Sequence, residues 1–86
     1  MKLYLLERTD NCNYDEYDSA VVCAHDAADA STMHPGSYLE DPIRRLNGNR
    51  YDSWVSKPEM VKVTCIGITA DAPTKYGVVC ASYNAG

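Results

Sequence analysis

Between residues 60 and 83 apolar and polar positions alternate most regularly, in M-V-K-V-T-C-I-G-I-T-A-D-A-P-T-K-Y-G-V-V-C-A-S-Y. Two β-branched runs are separated there by Asp71, Pro73 and Gly77, the pattern of two antiparallel strands joined by a short connection. Val61, Val63 and Cys65 share one face at period two. Ile66 and Ile68 take the other, beyond a position that Gly67 lets bulge. The pattern predicts a central hairpin covered on both faces near its middle. Upstream, residues 2–8 (K-L-Y-L-L-E-R) read as a first strand, with Leu3 and Leu5 on one side and Tyr4 and Leu6 on the other. The loop 9–17 follows, and residues 19–24 (S-A-V-V-C-A) read as a second strand.

The period changes after Ala24. Asp26 is a suitable N-cap, and Asp29 three residues later favours the positive end of a short helix over residues 27–34, ended by Pro35 and Gly36. Ala27, Ala30 and Met33 or His34 form its buried stripe, and His34 meets its last carbonyls. Residues 36–57 are the least regular. Asp41 and Pro42 can open a single helical turn, 47–49 (N-G-N) reads as a turn, and Trp54 is expected as a lid on the core. The expected fold is α+β in one domain over residues 1–86, a four-stranded, mainly antiparallel sheet in ββαββ chain order with one short helix on one face. The helix is expected over the second strand and the Val61, Val63 and Cys65 face. The face bearing Tyr4, Leu6, Ile66 and Ile68 is left to residues 36–57.

Composition narrows the class. An 86-residue chain with 45% apolar and 23% charged residues matches an ordinary globular domain, and at this size it buries about 60 to 65% of its unfolded surface. Seven tyrosines and no phenylalanine put polar tips on most of its aromatic rings. The net charge of −4 is divided unevenly, with nine acidic and two basic residues in positions 1–41 against three and six in positions 42–86. Asp10 to Asp29 holds six carboxylates and no Lys or Arg. Such a surface repels nucleic-acid backbones and attracts basic proteins, so direct nucleic-acid binding through this half is not expected. The basic cluster Arg44, Arg45 and Arg50 is expected to pair with the acidic loop or, in an alternative reading, to hold an anion.

Candidate chemistry is sparse. The cysteines at 12, 23, 65 and 80 form no C-x-x-C pair and no Cys/His set at zinc spacing. Met1 leads straight into a strand without a secretory leader, so free thiols in a reducing cytoplasm are expected, with Cys23, Cys65 and Cys80 buried and Cys12 exposed. T-D-N-C-N-Y-D-E-Y-D lacks the spacing and closing Glu of a calcium loop. His25 and His34 are the only histidines, and no nucleophile, acid and base fall into a known constellation. No catalytic residue, metal ligand or cofactor is assigned.

The opening M-K-L-Y-L-L-E-R-T-D, the following Y-D-E-Y-D-S-A-V-V-C-A, the short helix ending in H-P, the W-V before V-K-V-T-C-I-G and the ending G-V-V-C-A-S-Y-N-A-G carry a resemblance. Together they look like a group of small uncharacterised proteins encoded by bacteriophages, over nearly the whole chain apart from residues 36–53. The resemblance brings no catalytic residues. It implies an accessory factor made in the host cytoplasm, some of which block host defence systems such as CRISPR effectors by binding them. The expectation is a non-enzymatic binding module, monomeric or homodimeric and without a membrane segment. It would inhibit or redirect a host protein, such as a nucleic-acid-binding effector, through Tyr14, Asp15, Glu16, Tyr17 and Asp18. The alternative is a small ligand- or anion-binding protein, or an enzyme, with a pocket between the sheet and residues 36–57.

Overall fold

The computed structural model describes residues 1–10, 16–37, 43–48, 53–68 and 76–84. Strand β1 spans Lys2–Arg8 and β2 spans Glu16–Ala24. A short helix α1 follows at Ala27–Ser31, and then β3 at Val61–Ile68 and β4 at Gly77–Asn84. The four strands form one antiparallel sheet in the order β3-β1-β2-β4. The α+β class and the ββαββ chain order are as the sequence predicts.

The central element is not the predicted one. β1 and β2 pair with each other in the middle of the sheet, from Lys2 opposite Ala24 to Glu7 opposite Ser19. β3 then adds to β1 and β4 to β2, so the two most apolar strands lie on opposite edges and do not touch as a hairpin. The connection 69–76 has a length that a tight hairpin does not use, since hairpin loops take about two to five residues. Fully extended it reaches roughly 26 Å, ample for the three strand spacings of about 4.8 Å between the edges. Both edge strands slip register, β3 opposite Leu3 and Tyr4 and β4 opposite Val21 and Val22. Bulges of this kind blunt an edge against further pairing.

The helix covers β2 and the Val61 and Val63 face as expected, but Tyr4 and Leu6 lie on that same face and not on the opposite one. Tyr4 and Leu6 of β1 join Val22 and Ala24 of β2, Ala30 of α1, Met33, Trp54, Val55, Val61 and Val78 in one buried cluster. The helix and residues 53–55 therefore cover the same side of the sheet. The reason is chain direction: β2 ends beside Lys2 and β3 begins beside Arg8, so the chain between them must travel the length of the sheet, and Ala30, Met33, Trp54 and Val55 of its described residues pack on one face. Val61 and Val63 stand opposite Arg8 and Leu6 on that face, as partners of core positions. Ile66 and Ile68, expected under cover, are exposed at 51% and 75%. Trp54 is buried in the core, as predicted.

Local signals explain the helix. Asp26 accepts the Asp29 backbone N–H at 2.8 Å while the Asp29 carboxylate accepts the His25 N–H at 3.2 Å, a reciprocal cap on the first turn. Ala30 and Met33 are buried as expected, whereas Ala27 is exposed. The helix stops at Ser31, where the Thr32 hydroxyl and N–H take the Asp29 carbonyl at 2.9 and 3.3 Å, the role expected of His34. Residues 43–46 form no helical turn. Arg45 makes an isolated antiparallel bridge with Met33, and the Leu46 and His34 N–H groups donate to the carbonyls of Thr32 and Arg44. Gly48 sits at φ +81°, and its N–H donates to the Ser56 carbonyl at 3.2 Å, consistent with the predicted turn.

Candidate functional site

Two polar constellations stand out among the described residues. The first lies at the end of the sheet where β1 leaves and β2 and β3 enter. Arg8 is the terminal residue of β1, and its side chain is only 6% exposed because its guanidinium stacks on Trp54, 5.8 Å from the ring centroid. From there Nε reaches Asp10 Oδ1 at 2.6 Å, Nη2 reaches Asp10 Oδ2 at 3.0 Å, and Nη1 donates to the Tyr17 carbonyl at 3.0 Å. Glu16 lies 3.6 Å from Nη1. The bidentate bond from Arg8 holds the Asp10 carboxyl below the usual carboxylate range. Arg8 thus meets Asp10 and Glu16, while of the predicted basic cluster Arg45 pairs with Asp29 at the far end of the acidic stretch.

Glu16, Tyr17 and Asp18 belong to β2 and not to the loop in which they were expected. Pairing with β4, Glu16 opposite Asn84 and Tyr17 opposite Tyr83, extends the strand by three residues. The Tyr17 ring is half-buried, edge-on to Tyr83 with centroids 4.9 Å apart and to His34 at 6.2 Å. Tyr83 itself is 47% exposed, and Asp18, which accepts the Ser19 hydroxyl at 3.2 Å, is exposed. This end of the sheet offers carboxylates beside an aromatic ring propped by a second ring. Tyr14, Asp15 and Cys12 lie outside the described residues, as do Arg50 and the Asp41–Pro42 opening of the expected helical turn.

The second constellation ties α1 to residues 43–48 and to the start of β4. The Tyr76 hydroxyl shares its proton between the two Asp29 oxygens at 2.7 and 2.8 Å. Arg45 Nη2 donates to that hydroxyl at 2.7 Å, and Nη1 donates to Asp29 Oδ1 at 3.0 Å and to the Thr32 hydroxyl at 2.9 Å. His25 lies against the Tyr76 ring at 5.1 Å. Burial raises the Asp29 carboxyl, but the bonds from Tyr76, the His25 N–H and Arg45 outweigh it and leave the group below its ordinary value. Burial, with Asp29 beside it, raises the Tyr76 hydroxyl. Arg45 is therefore engaged within the chain.

His34 is buried, and its Nδ1 accepts the Gly36 N–H at 2.9 Å, a structural use of the ring. The exposed Arg44 lies close to it, with Nη2 only 2.6 Å from where a Cβ on Gly36 would stand. A shallow cleft of about 360 Å³ opens between β4 and residue 35, lined by Tyr17, Pro35, Val79, Cys80 and Ala81. That lining is apolar apart from the tyrosine and the thiol, and no charged group takes part in it. Cys23 is buried, and burial pushes its thiol up. Cys65 and Cys80 are exposed, contrary to expectation, because their strands are edges.

Arg8, Tyr76 and Tyr83 were not singled out from the sequence, and Asp29 and Arg45 were read separately, as a helix-end acid and as part of a basic cluster, and not as one set. Arg8 on Trp54, Tyr83 on Tyr17, and Arg45 and Tyr76 on Asp29 depend on partners more than ten positions away, whereas Arg8 reaches Asp10, Glu16 and Tyr17 within nine. The one local hint was the Arg8 and Asp10 spacing at the end of a strand. No family model matches the chain, and neither a curated protein nor a solved structure matches it.

Proposed function

We propose that this chain is a non-enzymatic binding module, a phage accessory protein that inhibits or redirects a host protein in the host cytoplasm. The observation that carries this reading is the exposed Tyr83 ring, propped on Tyr17 and flanked by Asp18 and Glu16 at the acidic end of the sheet. An aromatic ring held by a neighbour loses little freedom on binding, and carboxylates around it complement a basic groove of the kind that holds nucleic acid. The resemblance to small phage proteins supports a host partner of that type, such as a defence effector. No helix among the described residues is long and apolar enough to cross a membrane.

The test begins with affinity capture of a stoichiometric partner from infected host lysate. Binding of the purified pair is then measured for wild type, Asp18→Asn and Tyr83→Ala. Each substitution is expected to weaken binding by about tenfold, Asp18→Asn mostly through the association rate, and raising salt from about 0.05 to 0.5 M weakens the wild-type complex. An affinity indifferent to both substitutions and to salt overturns the reading.

A further inference from the structure

Cys23 is buried without belonging to the core. It has no exposure, yet the cluster around Trp54 does not include it. Pairing sets it opposite Leu3 of β1 on one side and, on the other, opposite Gly77 of β4, which has no side chain to cover it. Met1 reaches the thiol, with its sulfur 3.9 Å away. Met1 itself is 44% exposed, so a residue open to solvent stands against a thiol that is closed to it. The other two methionines are placed differently. Met33 has no exposure, and Met60 is half-buried with its sulfur 3.8 Å from the Ser56 hydroxyl.

We propose that Met1 is an oxidisable lid on Cys23, and that oxidation of its thioether uncovers the thiol and makes it reactive. The oxidant is hydrogen peroxide, which gives one oxygen atom to the Met1 sulfur and leaves as water. The thioether becomes a sulfoxide by loss of two electrons, and the thiol is unchanged in this step. Met1 is the most exposed of the three methionines and is therefore oxidised first. A sulfoxide is polar where the thioether was apolar, so the side chain turns to water and away from the surface that Leu3 and Val21 share with Cys23. Burial pushes the Cys23 thiol up, which keeps the nucleophilic thiolate scarce while the lid is shut. Opening removes that cause. Enzymatic reduction of the sulfoxide restores the lid, so the device is reversible. It does not rest on the binding surface at the acidic end.

The full chain is treated with hydrogen peroxide and then with dithiothreitol, which returns disulfides and sulfenic acids to thiols and leaves the sulfoxide in place. Peptide mass mapping reads which methionine carries the oxygen. Iodoacetamide is then added to the folded protein, and alkylation of each cysteine is followed in time. Cys23 is expected to react at least about tenfold faster in the oxidised chain, while the exposed Cys65 and Cys80 change by less than about twofold, which separates an opened lid from general unfolding. Norleucine has the length of methionine and no sulfur. A chain carrying it in place of all three methionines is expected to keep Cys23 slow after the same treatment. A Cys23 rate indifferent to Met1 sulfoxide overturns the proposal. So does an equal acceleration in the norleucine chain, or one that appears only once Met33 is oxidised as well.

Discussion

Leu6 and Val63 stand directly opposite each other in the sheet, facing the same core, yet Leu6 is entirely buried and Val63 only partly so. The same contrast separates the two pairs of strands. The central hairpin β1–β2 has modest hydrophobicity but contributes Tyr4, Leu6, Ala20, Val22, Cys23 and Ala24 to the buried set. The edge strands β3 and β4 are more apolar by sequence and contribute only Val61 and Val78, each 9% exposed. Burial in a sheet depends on how many neighbours flank a strand and on which face is covered, and a strand's own composition reports neither. An apolar edge strand is a surface feature, here blunted by bulges.

The contrast is broken most severely at its centre. Leu6→Asp sets an unpaired carboxylate in a position with no exposure, at a cost of at least about 4 kcal/mol against roughly 5 to 10 for a domain of this length. The variant is expected to show no cooperative transition on heating. Val63→Asp sharpens the comparison, because the carboxylate can turn outward past an edge strand toward water. About 2 kcal/mol is expected, with an unchanged urea m-value. Equal damage from the two substitutions would mean that β3 is flanked on both sides.

The smallest effect concerns the Asp29–Arg45–Tyr76 set, which joins the helix to the start of an edge strand. Asp29→Asn is expected to cost about 1 kcal/mol at pH 7, since the cap oxygen remains while the charge facing Arg45 is lost. Because Asp29 titrates lower in the folded chain than when unfolded, its charge stabilises the fold at pH values above the unfolded carboxyl range near 4. That contribution fades as pH falls through the folded value. Wild type and variant should therefore differ most above about pH 5 and converge in stronger acid, as followed by urea unfolding across pH. A difference constant with pH would assign the stabilisation to packing and not to charge.

Much of this architecture was legible from local pattern. Period-two runs located all four strands, Asp26 and Asp29 announced the helix, and a single tryptophan between irregular segments announced the lid. These signals work because side-chain alternation, capping and turn chemistry act over a few residues, and a sequence displays them directly. The acidic site was legible only as a run of carboxylates. That Glu16 and Tyr17 extend a strand follows from Asn84 and Tyr83 lying alongside them.

What the sequence by itself determined is therefore the set of elements, their order and the excess of negative charge in the first half. Tertiary structure alone decided which strands are central, which face carries the core, and that Arg8 answers Asp10 and Glu16 while Arg45 answers Asp29. The physical reason is that strand pairing is satisfied by any compatible backbone edge. The choice among edges is made by chain direction and by the packing of Ala30, Met33, Trp54 and Val55 on one face, which joins positions far apart in the chain.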